Sequence, residues 1–402
     1  MTKTMTRNDK NDNDYDRKLG MRILVIDNVN YEDYPTGGIL NFYRNMLPAF
    51  GSDLMLAGIT TDDRTPVGIW TQREIDGQEF EYFSMARVTP SAKRPLIPER
   101  ITNCFYIKKY IRHILKRNDF DWIVTHKPEV MYFIPDGFMS KTCYIMPGVE
   151  NPLSISRYPW ARKLAGVYDK FFLMPKAAKA RRLLAAADRN DRKAFAERSK
   201  GKISVDKVIE FPTRYDDSIY GVNRFSHDDN EKIFVTVGRL GWFKGWKLMI
   251  DALKQTREKI SNAHLYFIGD GEDYDKIKGY IHEQGLDDSV ILLGKMAPKE
   301  IAVWLNKADV FVMGSMAEGW STTLVEACAC GVPCVVTDFS SAREMVADGK
   351  NGFVVSGRDE KVFSQKMVEA LELEREKVID YDKRFEKLAV SHLREDMEKI
   401  LN

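Results

Sequence analysis

Cysteine is scarce in this chain, and long hydrophobic runs are absent from it. The 402 residues include 5 cysteines without a regular spacing, which argues against a disulfide-stapled secreted domain and favours a reducing compartment, the cytoplasm. No apolar run reaches the roughly 18 residues of a transmembrane helix, so we expect any membrane contact to be peripheral. The formal net charge is only +2, and the overall charge therefore predicts no nucleic-acid partner.

Short apolar runs alternate with longer amphipathic ones along most of the sequence. One series extends from Met21 to Met146 and a second from Ile233 to Val355. Buried strands separated by helices are typical of doubly wound α/β domains, so we predict two of them. The join is expected near Phe211-Pro212-Thr213, where proline interrupts a strand. Residues 1–20 are polar and predicted to be a disordered tail.

Two glycine-containing motifs follow strands of the second series. Gly238-Arg239-Leu240, with Lys244-Gly245 close behind, combines a backbone that a ligand can approach with two cations suited to a diphosphate. A solvated basic loop is the alternative interpretation. Gly269-Asp270-Gly271 by itself indicates a tight turn, because the spacing does not continue to the full dinucleotide fingerprint.

Two carboxylates flank a predicted strand-to-helix junction. Glu318 is expected in the loop, and Glu326 about one turn into a helix over Thr322–Cys330 that ends at Gly331. Unpaired N–H groups at the start of that helix are suited to binding an anion. Alternatively, Glu326 merely stabilises the helix N-terminus and Glu318 is a solvated loop residue.

In this order, the motifs resemble those of the retaining glycosyltransferase family 4, together with Gly331-Val332-Pro333. The likeness is strong over Gly238 to Val355 and loose from Met21 onward. It implies the GT-B fold, in which two Rossmann-like domains face a central cleft. It also implies the following division: an acceptor domain over 21–212, a nucleotide-sugar donor domain over 213–373, and a C-terminal helix over 374–402 that packs back on the first domain.

The resemblance assigns roles to individual residues. Arg239 and Lys244 would bind the donor diphosphate, Glu318 would contact the donor sugar, and Glu326 would bind the ribose. His126 matches a histidine that faces the donor sugar; the alternative is a structural histidine at a strand end, with its ring nitrogens satisfied by backbone partners. The remaining substrate-binding positions implied are Gly37, Gly38, Gly238, Gly269, Gly271, Lys295, Met296, Trp320, Ser321, Thr322, Thr323 and Leu324. Trp320-Ser321 stands where the family often has Phe-Gly, which leaves the donor sugar open.

The implied activity is retaining transfer of a sugar from a nucleotide diphosphate sugar, such as a UDP-sugar, to a glycan or lipid-linked acceptor in cell-surface polysaccharide assembly. It implies no cofactor and no metal. Cys328, Cys330 and Cys334 are expected to be small buried residues rather than zinc ligands. A nucleotide-sugar epimerase and a catalytically inactive, glycosyltransferase-like binding subunit are the alternatives.

The segment Arg157–Lys202 is strongly basic. It contains 14 lysines and arginines against 4 acids, with aromatic residues between them. Such a segment can rest on an anionic membrane, where it would meet a lipid-linked acceptor. Equally, it can be a solvated helix face with a core strand at Phe171 to Met174.

Overall fold

The computed structural model describes residues 20–35, 38–90, 99–146, 151, 153, 159–185, 189–223 and 230–402. Within these residues the first sheet has the strands β1 (Ile23–Ile26), β2 (Leu54–Thr60), β3 (Trp70–Ile75), β4 (Gln78–Arg87), β5 (Trp122–Thr125), β6 (Thr142–Met146), β7 (Arg182–Ala185) and β8 (Val208–Glu210). Its helices are α1 (Gly38–Phe50), α2 (Glu99–Leu115), α3 (Pro128–Phe133), α4 (Pro159–Lys163), α5 (Ala165–Tyr168), α6 (Met174–Lys179) and α7 (Arg189–Arg198).

The strand order of the first sheet is β3-β4-β2-β1-β5-β6-β7-β8. All pairs are parallel except β3 with β4. Strands β1, β2, β5 and β6 are buried along their whole length, as expected for a parallel sheet covered on both faces. The chain order reverses between β1 and β5, and ligands of open α/β sheets bind beside such a reversal, at the carboxyl ends of the strands.

A second sheet, all parallel, follows in the order β11-β10-β9-β12-β13-β14. Its strands are β9 (Lys232–Val237), β10 (Ala263–Ile268), β11 (Val290–Gly294), β12 (Val310–Met313), β13 (Cys334–Thr337) and β14 (Gly352–Val355). Its helices are α8 (Trp246–Arg257), α9 (Tyr274–Glu283), α10 (Pro298–Lys307), α11 (Thr322–Ala329), α12 (Ala342–Met345) and α13 (Glu360–Leu371). The order reverses between β9 and β12. The predicted α/β class with two doubly wound sheets is therefore confirmed.

The C-terminal segment returns to the first sheet. Instead of one helix over Glu374–Leu401, the structure has α14 (Arg375–Asp382), two 3-10 turns, and α15 (Leu393–Leu401). Leu393, Met397 and Leu401 are fully buried in the core that includes α1. The guanidinium of Arg394 also binds the Asp53 carboxylate at 2.7 Å.

One secondary-structure alternative was wrong. Residues 171–174 do not form a core strand, because Asp169–Leu173 is a π-helical turn that continues directly into α6. Phe171 is exposed whereas Leu173 and Met174 are buried. Exposure on one side and burial on the other is typical of a helix that packs one face on the core. Among the described residues, no helix combines the length and the apolar character needed to cross a bilayer.

Candidate functional site

The clearest candidate site lies where the order of the second sheet reverses. There the loop after β9 meets the loop after β12, and the ammonium group of Lys244 donates to Glu318 Oε1 at 2.5 Å. The Ser315 hydroxyl donates to the same oxygen at 2.7 Å. The two charged side chains are only 24% and 16% exposed. Glu318 is therefore held in a fixed position, contrary to the interpretation as a solvated loop residue.

Glycines make this approach of the two loops possible. Gly245 has φ +69°, and a Cβ at this position would lie 1.8 Å from the Gly314 carbonyl oxygen. The Met316 N–H also donates to the Phe243 carbonyl at 2.8 Å. Because only glycine fits a positive φ with backbone that close, Gly245 brings Lys244 within reach of Glu318.

The predicted binding glycines have different surroundings. A Cβ at Gly269 would lie 1.9 Å from the Gly238 carbonyl oxygen, and one at Gly271 would lie 2.4 Å from that of Leu240. These two glycines therefore let the loops after β9 and β10 pack together. Gly238, by contrast, lines a cavity beside Lys244.

The cavity is lined by Gly238, Arg239, Lys244 and Ser315, with apolar residues beneath them. Lys244 lies inward against Glu318. The Arg239 side chain is 57% exposed, and its Nε donates to Glu272 at 2.8 Å. The cavity therefore has one partly buried cation, Lys244, and a second, more exposed one, Arg239.

Helix α11 begins at Thr322, four residues after Glu318. The Ser321 hydroxyl accepts from the Leu324 N–H at 3.4 Å and so caps the helix. The N–H groups of Thr322 and Thr323 form no hydrogen bond with the described part of the chain. They are therefore available to an anion, as the sequence predicts.

Glu326 lies inside the protein, one turn into α11. Its carboxyl group is hydrogen-bonded to Tyr220, and burial raises its pKa to about 8 although that bond lowers it. A stabilising surface charge is therefore ruled out, because the group is largely protonated at neutral pH. A buried acid with a raised pKa is a candidate functional group.

Other predicted residues lie around the same end of the sheet. Lys295 is exposed and Met296 packs on the core, both directly after β11. The buried indole N–H of Trp320 has no hydrogen-bond partner among the described residues. Gly38 begins α1, and a Cβ added there would meet no atom within 4 Å. Gly37 lies outside the described residues.

A second cluster lies at the order reversal of the first sheet. Asp27 and His126 follow β1 and β5, and Tyr43 projects from α1. The Tyr43 hydroxyl lies 2.7 Å from Asp27 Oδ2 and 2.7 Å from His126 Nδ1. His126 is 5% exposed, and desolvation lowers its pKa to about 4. The ring is therefore neutral at physiological pH.

Asp27, Tyr43 and Asn28 were missed by the sequence reasoning. The Asn28 side chain is 5% exposed, and neither its oxygen nor its nitrogen has a partner in the described structure. The position of Asp27 just after a strand was an available signal, because ligands bind at strand ends. Tyr43 gave none, since an aromatic residue on the apolar face of a helix is usually part of the core.

The two clusters are separate in the described residues, with no hydrogen bond or ion pair between His126 and the Lys244–Glu318 pair. Nor do the described residues contain a group of three histidine, cysteine or acidic side chains suited to a metal ion. Cys328, Cys330 and Cys334 are buried and unbridged. Burial raises the pKa of the Cys330 thiol to about 12.

Comparison with known proteins shows what the second sheet resembles. Residues 222–387 match the family model described as glycosyl transferases group 1. This part of the chain is similar to that family. The matched region contains Lys244, Glu318 and Glu326, so the candidate cavity lies within it.

Two curated relatives show how far the sequence likeness extends. An uncharacterized glycosyltransferase of Methanocaldococcus jannaschii is 26% identical over 67% of this chain and 66% of its own length. The lipopolysaccharide 1,6-galactosyltransferase of Salmonella typhimurium is 33% identical over 31% of this chain and 35% of its own length. The chain thus matches about two thirds of one relative and about one third of the other.

Solved structures resemble the chain over most of its length. The sucrose-phosphate synthase of Thermosynechococcus elongatus has a TM-score of 0.72 at 16% identity, over 94% of this chain and 98% of that one. The Anabaena protein HepE, solved with UDP and glucose, has a TM-score of 0.66 at 16% identity, over 95% of this chain and 99% of that one. The expected GT-B fold is confirmed.

Proposed function

We propose that this chain is a retaining glycosyltransferase that moves a sugar from a nucleotide diphosphate sugar to a glycan or lipid-linked acceptor without a metal. The observation that carries the proposal is the Lys244–Glu318 pair at the mouth of a parallel sheet, beside the open N-terminus of α11. The match of this region to group 1 glycosyl transferases supports it.

The arrangement is suited to a leaving diphosphate. Lys244 and the N–H groups of Thr322 and Thr323 are proposed to face the position where negative charge develops as the sugar departs. A preorganised donor of this kind supplies on the order of 3 kcal/mol of transition-state stabilisation. Lys244 already contacts Glu318, so the carboxylate holds the ammonium group in place before the donor arrives.

In the proposed reaction the bond from the anomeric carbon to the phosphate oxygen breaks while the acceptor oxygen bonds to that carbon on the same face. The acceptor's proton passes to the departing phosphate oxygen. Glu318 acts by position and charge rather than as a nucleophile, because its carboxylate is already engaged by Lys244 and Ser315. Glu326 is proposed to meet the ribose and Arg239 the diphosphate.

The donor is proposed to be a UDP-sugar, supported by the structurally similar HepE, which was solved with UDP. A role in cell-surface polysaccharide assembly is supported by the similar lipopolysaccharide galactosyltransferase. Thermal-shift measurements with UDP, GDP and their sugars test the donor, since a ligand of the folded state raises Tm by mass action. If GDP-mannose raised Tm but UDP-sugars did not, the proposed donor would be wrong, whereas the proposed class of reaction would still hold.

Glu318→Gln tests the reaction itself. We expect sugar transfer to fall at least a hundredfold while Tm stays close to that of the parent. Product analysis separates the alternatives, because an epimerase releases a free epimerised nucleotide sugar and an inactive binding subunit yields no product. Full turnover by a folded Glu318→Gln protein would contradict the assignment.

The acceptor is proposed to be reached from a membrane surface. Trp160, Leu164, Val167 and Phe171, which we call the apolar stripe, recur at helical spacing through α4, α5 and the π-helical turn. Each of these four side chains is about half exposed or more. Exposed lysines at 163 and 170 flank the stripe, so it combines apolar residues with the positive charge that suits an anionic bilayer.

Co-sedimentation with vesicles of phosphatidylglycerol and phosphatidylcholine tests this surface. Leu164→Ser is expected to weaken binding severalfold, because it removes an apolar contact from the stripe. Val362→Ser is the matched control, since Val362 is 41% exposed on α13. Equal loss in both variants, or binding that needs no anionic lipid, would contradict the proposal.

A further inference from the structure

We propose that Asp27 and Tyr43 are positioning residues that hold His126 in the tautomer protonated on Nδ1, so that Nε2 faces the ligand as a hydrogen-bond acceptor. This inference deepens the proposed function, because it specifies the chemistry of the group that His126 meets. A sugar hydroxyl can donate to such a nitrogen, whereas a fully ionised phosphate cannot.

Which group donates in each of the two hydrogen bonds of Tyr43 follows from what Asp27 can accept. A carboxylate only accepts hydrogen bonds, so the single proton of the Tyr43 hydroxyl lies on its 2.7 Å contact with Asp27 Oδ2. The Tyr43 oxygen must then accept from the ring nitrogen 2.7 Å away, His126 Nδ1. A neutral imidazole carries one proton, which leaves Nε2 with a lone pair.

The opposite arrangement, in which the Tyr43 hydroxyl donates to His126 Nδ1, would need a proton on Asp27 Oδ2. Both oxygens of Asp27 already accept hydrogen bonds, since Oδ1 accepts from the backbone N–H of Asn28 at 2.7 Å and Oδ2 accepts from the backbone N–H of His126 at 3.3 Å. The ammonium group of Lys127 also lies 3.9 Å from Oδ1. Two backbone N–H groups therefore donate to this group and a cation lies near it, an arrangement in which both oxygens act as acceptors.

The position of the ring supports a role in binding. Tyr43 and Phe42 contact the imidazole edge-on, with ring centroids at 4.8 and 5.0 Å. Among the described residues Nε2 has no hydrogen-bond partner. The ring lies at the reversal between β1 and β5, where ligands of such sheets bind. The lone pair of Nε2 is thus left for a ligand, and the lowered pKa makes it a weak base.

Two-bond ¹H–¹⁵N correlation spectra of histidine-labelled protein test the tautomer directly. The chain has 6 histidines, and the His126 signals are assigned by their loss in His126→Gln. We expect the neutral Nδ1–H pattern at neutral pH in the parent protein. Tyr43→Phe should shift the signals toward the Nε2–H tautomer, because Nδ1–H loses its acceptor. An Nε2–H pattern in the parent, or an unchanged pattern in Tyr43→Phe, would overturn the inference.

Binding gives a second readout. We expect Tyr43→Phe to weaken UDP-glucose or UDP-galactose about tenfold and UDP not at all, since His126 would meet only the sugar. Tyr82→Phe is the matched control, because the buried Tyr82 hydroxyl donates to the Ile59 carbonyl and does not contact His126. Equal weakening of UDP and UDP-sugars would reject the sugar contact. Failure of all nucleotides to bind would count against the proposed function but leave the tautomer result standing.

Discussion

Replacing Glu326 by glutamine should stabilise the protein at neutral pH but not in acid. Burial raises the folded-state pKa to about 8 from an ordinary value of 4.5, so the folded state holds a proton that the unfolded state releases across that window. The contribution of Glu326 to the free energy of unfolding is fully present below pH 4.5 and is lost as the pH rises toward 8. The slope is about 1.4 kcal/mol per pH unit.

The magnitude follows from the width of the window. At pH 7 the parent has lost about 3 kcal/mol of unfolding free energy at this site. Glutamine carries no charge, has nearly the same shape and can still accept a hydrogen bond from Tyr220. Asp382 is also buried with a pKa raised to about 7, but it is present in both proteins and cancels. Glu326→Gln should therefore gain about 0.8 kcal/mol near pH 5 and about 3 kcal/mol at pH 7.

Urea unfolding of parent and variant at pH 5, 6, 7 and 8 measures this difference. Glu283→Gln is the matched control, because Glu283 is exposed on α9. A gain for Glu326→Gln that does not grow with pH, or equal growth in the control, would refute the reasoning. If Glu326 meets the ribose, the same variant should bind UDP more weakly, which is the stability–function conflict expected of a functional group.

Three further outcomes are expected. Gly245→Ala should destabilise the protein by several kcal/mol in chemical denaturation, whereas Gly285→Ala should cost only about 1 to 2 kcal/mol. Both glycines have φ near +65°, but of the two only Gly245 has backbone within 2 Å of the added Cβ. Equal losses in the two variants would contradict the argument that Gly245 lets the two loops come into contact. Lys244→Met should reduce kcat about a hundredfold or more and should also weaken UDP binding, because UDP carries the charge of the leaving group; retained turnover would reject Lys244 as the charge-stabilising group. Met397→Ala should lower the free energy of unfolding by about 2 to 5 kcal/mol, since Met397 is fully buried against the first sheet, and a loss below 1 kcal/mol would show that α15 is not part of that core.

Much of the second sheet could be predicted because its strands are short continuous apolar runs between clear helical patterns. The helix predicted over Thr322–Cys330 is observed over Thr322–Ala329. The hairpin of β3 and β4 was not predicted, since its polar alternation is weak beside the buried runs. The helical turn at residues 169–173 was open to a strand interpretation, because four consecutive apolar residues carry no periodicity.

By itself, the sequence determined the layered α/β architecture and the set of strand-end motifs, because hydrophobic periodicity and glycine placement are local properties. Only the tertiary structure decided which groups meet and how they are charged. Lys244 and Glu318 are 74 residues apart and Tyr43 and His126 are 83 apart, so no local pattern records either contact. The neutral states of Glu326 and His126 likewise arise from burial, which depends on the packing of the whole fold.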